Sequence, residues 1–387
     1  MLRRLLLAAC AVVTLVRAAP PAKDFRSVIE DYYEDYRALY PIEAAVYGDN
    51  DPRFDAVWPN DISAEHRARL AALAERTLAA LSAFDRASLA PSDQLSLDAL
   101  RWQLRERLAE TRQIGWMLPV NQFGCPTLTF AQMASGAFVH PFRTPQDFRH
   151  FLGRARGFSA WVDTAIANMQ EGVRRGVVQP RVLMERVLAQ LEPLCADDPA
   201  SNILFGALQK IPADLPAAER AALRAEYENG IRTLALPAYV RLHRFIRDDY
   251  LPHCRTTAGI GALPGGAEAY AQAVRWQTTT DLSPEEIHQL GLREVARIRG
   301  EMEKVRRQVG FAGPLPEFLH FVATDPKFSP YRTDEEILNA YRAIEGRIMA
   351  AVPRFFGRLP RSKFEVRATE KFRAAAASAE YQPGPAD

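Results

Sequence analysis

Cysteine is scarce in this sequence: four residues in 387, at Cys10, Cys125, Cys195 and Cys254. They are widely spaced and no Cys-x-x-Cys occurs, which excludes a disulfide framework and a cysteine zinc knuckle. Charge of one sign is missing as well. The chain carries 49 Lys and Arg against 47 Asp and Glu, and such a balance argues against a nucleic-acid binder, which needs a basic surplus. After the N-terminal segment no apolar run reaches the ~20 residues that cross a bilayer. Runs that alternate apolar and polar residues are few, so a β-rich fold is excluded.

The common catalytic signatures are absent too. There is no G-x-x-x-x-G-K-[ST] and no G-x-S-x-G. Gly259-Ile260-Gly261 opens like a dinucleotide fingerprint, but Pro264 stands where its third glycine belongs. Asp49-Asn50-Asp51 opens like a calcium loop, yet Phe54 and Asn60 occupy the positions of its required Gly and Glu. None of the seven histidines, His66, His140, His150, His243, His253, His288 and His320, is followed by Glu, so H-E-x-x-H does not occur. Asp248, Asp249 and His253 are the nearest thing to a metal cluster, and Pro252 breaks their helical register. No metal ligand and no catalytic residue is assigned.

Among what is present, the N-terminus reads as an export signal. Arg3 and Arg4 precede an apolar stretch from Leu5 to Val16, and small residues surround a cleavage point after Ala18. Residues 1–18 are therefore expected to be removed, leaving 19–387 periplasmic or secreted. Leu7-Ala8-Ala9-Cys10 offers a lipoprotein anchor at Cys10 as the lesser alternative. Loss of Arg3, Arg4 and Arg17 takes the net charge from +2 to −1. Of the three remaining cysteines at most one pair can form a disulfide, and buried structural thiols are the simpler expectation.

The dominant period is helical. Leu70, Leu73, Thr77 and Leu81 recur at three- and four-residue spacing, as do Leu97, Leu100, Leu104 and Leu108, and Val162, Ile166, Met169 and Val173. Tyr32, Tyr33 and Tyr36 mark a Tyr-rich helix stopped by Pro41. Helix starts are written at Thr144-Pro145-Gln146-Asp147, Ser283-Pro284-Glu285-Glu286 and Thr333-Asp334-Glu335-Glu336. A long apolar stripe runs from Ile287 to Val309. These features predict a mainly α, single helical domain, with short strands only near Gly259–Gly266 and Lys363–Arg367.

The segment from Gly259 to Tyr270 is the densest in glycine. Adjacent glycines leave the backbone bare, so Gly265 and Gly266 are candidates to border a substrate cleft, with Tyr270 placing a phenol beside it. A tight connection between helices explains the same glycines.

Leu263-Pro264-Gly265-Gly266 through Tyr270, then Thr278-Thr279-Thr280-Asp281-Leu282-Ser283-Pro284-Glu285-Glu286 to Leu292, resemble a bacterial family known as domain of unknown function 885. So does Met169-Gln170-Glu171-Gly172-Val173-Arg174-Arg175-Gly176 to Val182. The resemblance implies an exported helical protein with a gluzincin-like fold, regarded as a zinc metallopeptidase acting on peptides. The family's His-Glu-x-x-Pro-Gly-His motif has no counterpart before Asp387. The expectation is thus an N-terminal portion, ending before the zinc-binding helices. Such a piece would be inactive alone and would leave the Ile287–Val309 stripe without a partner. The rival expectation is a non-catalytic helical binding or scaffold protein of the cell envelope.

Overall fold

In a computed structural model, residues 24–136, 138–359, 361, 364–369 and 381 are described. The export signal and Cys10 lie outside them. Thirteen α-helices follow in order among these residues: α1 (Phe25–Leu39), α2 (Pro41–Val46), α3 (Ala64–Leu81), α4 (Pro91–Glu110), α5 (Pro126–Ala134), α6 (Pro145–Arg175), α7 (Arg181–Leu191), α8 (Ala217–Gly230), α9 (Leu236–Arg244), α10 (Gly266–Thr278), α11 (Pro284–Gln308), α12 (Leu315–Thr324) and α13 (Asp334–Ala351).

The written caps form as read. Thr144 with Asp147, Ser283 with Glu286 and Thr333 with Glu336 each make a reciprocal capping box, satisfying helix-start amides that would otherwise lack partners. Pro41 ends α1 and also opens α2, where its missing N–H costs nothing. Between α8 and α9 the helix widens into a π-turn at Ile231–Ala235. Pro237 follows two residues after it, and the wider turn accommodates a ring that would crowd the carbonyl four residues earlier.

The main core wraps α6. Phe148, Phe151, Phe158 and Trp161 on that helix pack with Phe130 of α5 and with Tyr227 and Tyr239 of α8 and α9. The segment from Ala56 to Ile62 straps along one face of α6. Gly153 and Gly157 allow this: a Cβ on Gly157 would stand 2.7 Å from the Trp58 carbonyl oxygen. Asn60 donates to Thr164 across 2.8 Å, and Asn168 donates to the Ile62 carbonyl across 2.9 Å. A second core joins α1, α3 and α4 through Phe25, Leu81, Leu97 and Leu104.

α11 and α13 contrast with all of this, since neither contains a buried residue. On α11 Val295 is 57% exposed and Val305 48%, while the side chain of Arg306 is only 17% exposed. That inverts the usual order for an amphipathic helix, whose apolar stripe faces protein.

The two expected strands are corrected. No sheet forms among the described residues; the single β-bridge joins Pro180 and Arg255. Ile260–Ala262 is a 3-10 turn, and Phe364–Arg367 has no strand conformation, while Lys363 lies outside the described residues. An alternating run becomes a strand only where a second edge pairs with it.

Candidate functional site

Gly265 and Gly266 form the corner that starts α10. Gly265 is left-handed at φ 71°. A Cβ on Gly266 would fall 1.9 Å from the Ile260 carbonyl oxygen, and the Gly266 N–H donates to the Leu263 carbonyl across 2.8 Å. Both glycines therefore have a local packing reason, and the Gly266 amide is already bonded. Tyr270, one helical turn on, is 49% exposed. The three residues share the N-terminal end of α10, with the phenol turned to solvent.

The other face of α10 meets α4. Gln272 donates to the Glu106 carbonyl, and Arg275 pairs with the Glu106 carboxylate at 3.2 Å. Trp276 stacks on Trp102, ring centroids 5.3 Å apart and 17° from parallel. Beside them the guanidinium carbon of Arg107 lies 5.3 Å from the Tyr36 ring, 5.6 Å from Tyr40 and 5.5 Å from Trp276. Arg107 Nη2 donates to the Tyr36 hydroxyl across 2.9 Å, and that hydroxyl donates to Glu43 across 3.0 Å. The His66 ring sits edge-on to Tyr40, centroids 5.0 Å apart. Burial raises the Tyr36 and Tyr40 phenols well above their ordinary range, and burial with Arg69 and Arg67 nearby pushes His66 down to about 4. His66 is thus neutral at physiological pH.

The sequence reading did not find this cluster. The tyrosine spacing on α1 was visible, but nothing local connects it to Arg107 or Trp276.

The metal-type candidates do not converge. Asp49 pairs with Arg37 at 3.1 Å and accepts from Tyr33, while Asp51 accepts from Arg53. Asp248 pairs with Arg247 at 2.7 Å. His140 bonds the Asp147 carbonyl, and His243 faces Glu192 at 3.1 Å. Among the described residues no three His, Cys, Asp or Glu side chains gather at metal distance, so they do not fit a catalytic zinc. Cys125 and Cys254 are buried thiols and Cys195 is half-buried; burial raises all three, Cys195 and Cys254 to about 11. No described helix is long and apolar enough to cross a membrane.

The fold defines an all-α protein whose last helices expose their apolar faces. The chain belongs to the family described as "Bacterial protein of unknown function (DUF885)", which matches residues 41–387. Among solved structures it is similar to "the putative lipoprotein from Colwellia psychrerythraea", with a TM-score of 0.78 and 17% identity. The match covers 92% of this chain and 63% of that one. At that identity the likeness concerns the fold alone. The chain spans less than two thirds of the length of the solved protein. No curated protein matches it.

Proposed function

We propose that residues 19–387 are the N-terminal portion of an exported zinc-dependent peptidase and supply a helical wall of its cleft. The observation that carries this reading is the exposed apolar surface of α11–α13. Val295, Ile298, Met302 and Val305 on α11, with Ile337, Tyr341, Ile344 and Ile348 on α13, lie open to solvent. Faces of this extent suit burial against further polypeptide of the same fold, and the solved relative has more than a third of its length outside the match. The zinc and its ligands belong to that further polypeptide, where the metal would activate a water and polarise a carbonyl. The role of this chain is to bind and position a peptide beside it, with Gly265, Gly266 and Tyr270 at the cleft border. The solved relative's description as a lipoprotein supports export, and a Cys10 anchor is the variant of that reading.

The second reading is a non-catalytic helical binding or scaffold protein of the cell envelope, to which an all-helical fold is equally suited. The genomic sequence after codon 387 separates the two. A continuing frame that encodes His-Glu-x-x-x-x-His, and chelator-sensitive peptide cleavage by its full product, supports the peptidase. A stop codon directly after Asp387 leaves the binding protein. In the full product Tyr270→Phe lowers turnover with unchanged melting temperature; unaltered kinetics would remove Tyr270 from the cleft.

A further inference from the structure

We infer that Arg107 and the aromatic rings around it form a binding site for the carboxylate of an organic acid. This inference stands apart from the peptidase reading and is tested by binding alone.

Arg107 is half-buried between α1, α4 and α10, yet it makes no ion pair with any described carboxylate. Other arginines do: Arg37 is held by Asp49 and Arg275 by Glu106. Glu106, the carboxylate next to Arg107 in sequence, is thereby taken. Arg107 Nη2 is committed to Tyr36, and the Tyr36 hydroxyl is oriented for this because its own proton goes to Glu43. Arg107 Nε is buried with no partner. Nη1 makes no hydrogen bond to a described residue, so it keeps its donors for a ligand.

Two further observations come from the adjoining helix α3, where the His66 ring meets Tyr40. His66 is 6% exposed and its Nε2 has no hydrogen-bond partner. Buried polar atoms without partners are rare in folded proteins and call for a missing group. Arg67, the residue after His66, is half-buried over the Trp116 ring at 4.7 Å, donates to the Ile62 carbonyl across 2.7 Å and makes no ion pair with a described carboxylate. Glu43 acts electrostatically on Arg107 and on both tyrosines, and Asp61 and Glu110 act on Tyr40, but none of the three closes to an ion pair with Arg107.

The chemistry selects the ligand. A carboxylate is planar and matches the donor geometry of a guanidinium. Walls of Tyr36, Tyr40 and Trp276 accept the apolar body of an organic acid and favour it over a hydrated inorganic ion. Partial burial strengthens the charge interaction relative to bulk water.

The test is calorimetric titration of residues 19–387 with N-acetyl-phenylalanine, its amide and inorganic phosphate, with tryptophan fluorescence reporting on Trp276 and Trp102. Saturable binding of the acid is expected, at least tenfold tighter than that of the amide or of phosphate, with a change in emission. Arg107→Gln abolishes it and Arg107→Lys weakens it, both with wild-type circular dichroism. Equal affinity for acid and amide, no binding of the acid, tighter binding of phosphate, or binding unchanged in Arg107→Gln would each overturn the assignment. The wild-type comparison decides the matter even if Arg107→Gln fails to fold.

Discussion

Trp161 on α6 donates its indole N–H to the carboxylate of Asp61 across 2.8 Å, joining residues 100 apart in sequence. The bond closes the strap of residues 56–62 onto the core helix at the point where the tryptophan is fully buried. Burial raises the Asp61 carboxyl above the ordinary carboxylate range, against the opposing pull of the Trp161 N–H.

That geometry fixes a sign. The folded state holds the Asp61 proton more tightly than the unfolded chain does, so this group's contribution to stability falls as pH rises through the raised folded value. Asp61→Asn keeps an acceptor for Trp161 and removes the buried charge. Urea unfolding should show the variant more stable by about 1 kcal/mol at pH 7.5, with the gain vanishing near pH 3. A variant less stable than wild type at pH 7.5 but not near pH 3 would mean that the ionised form is required.

His66 and His140 act in the opposite direction. Burial pushes both down to about 4, with Arg69 and Arg67 assisting at His66 and Arg154 at His140. Each folded-state value lies below the unfolded one, so their contribution is intact above about pH 6.5 and is lost as pH falls from there towards 4. The loss is at most roughly 3 kcal/mol for each. His66→Phe should flatten the dependence of unfolding free energy on pH across that window. An unchanged slope would show that His66 does not contribute to acid lability.

The glycine corner predicts an unequal series. Gly266→Ala must displace the Ile260 carbonyl, which a Cβ would approach to 1.9 Å, and should cost more than about 2 kcal/mol. Gly265→Ala, at positive φ, should cost about 1 kcal/mol. Gly261→Ala meets nothing within 4 Å and should be nearly neutral. Thermal melts of the three variants check the order; a neutral Gly266→Ala would remove the packing explanation of that residue.

The exposed faces of α11 and α13 predict self-association. Residues 19–387 should bind a hydrophobic dye and show concentration-dependent association in sedimentation. The double variant Ile298→Glu with Val305→Glu should reduce both, with unchanged helix content. A strictly monomeric wild type without dye binding would show that these faces are covered within the chain.

Several features were legible in the sequence because they depend on residues three or four apart. The capping boxes at Thr144, Ser283 and Thr333 are reciprocal bonds within one helical turn, so the spacing alone determined them. The helical periods determined which face of each helix is apolar, and the Gly-rich corner marked a place where only glycine fits. What covers each face was decided elsewhere. The stripes of α6 and α11 are alike in pattern, yet Trp161 and Met169 are fully buried while Val305 is 48% exposed. Amphipathicity states that a partner is needed and says nothing of which partner arrives. The expected strand over Lys363–Arg367 failed in its described part, Phe364–Arg367, for the same reason, because a strand is a relation between two segments. The meeting of Tyr36, Arg107 and Trp276 belongs wholly to the tertiary structure, since it takes the packing of α1, α4 and α10 to bring a cation without a carboxylate into a box of rings.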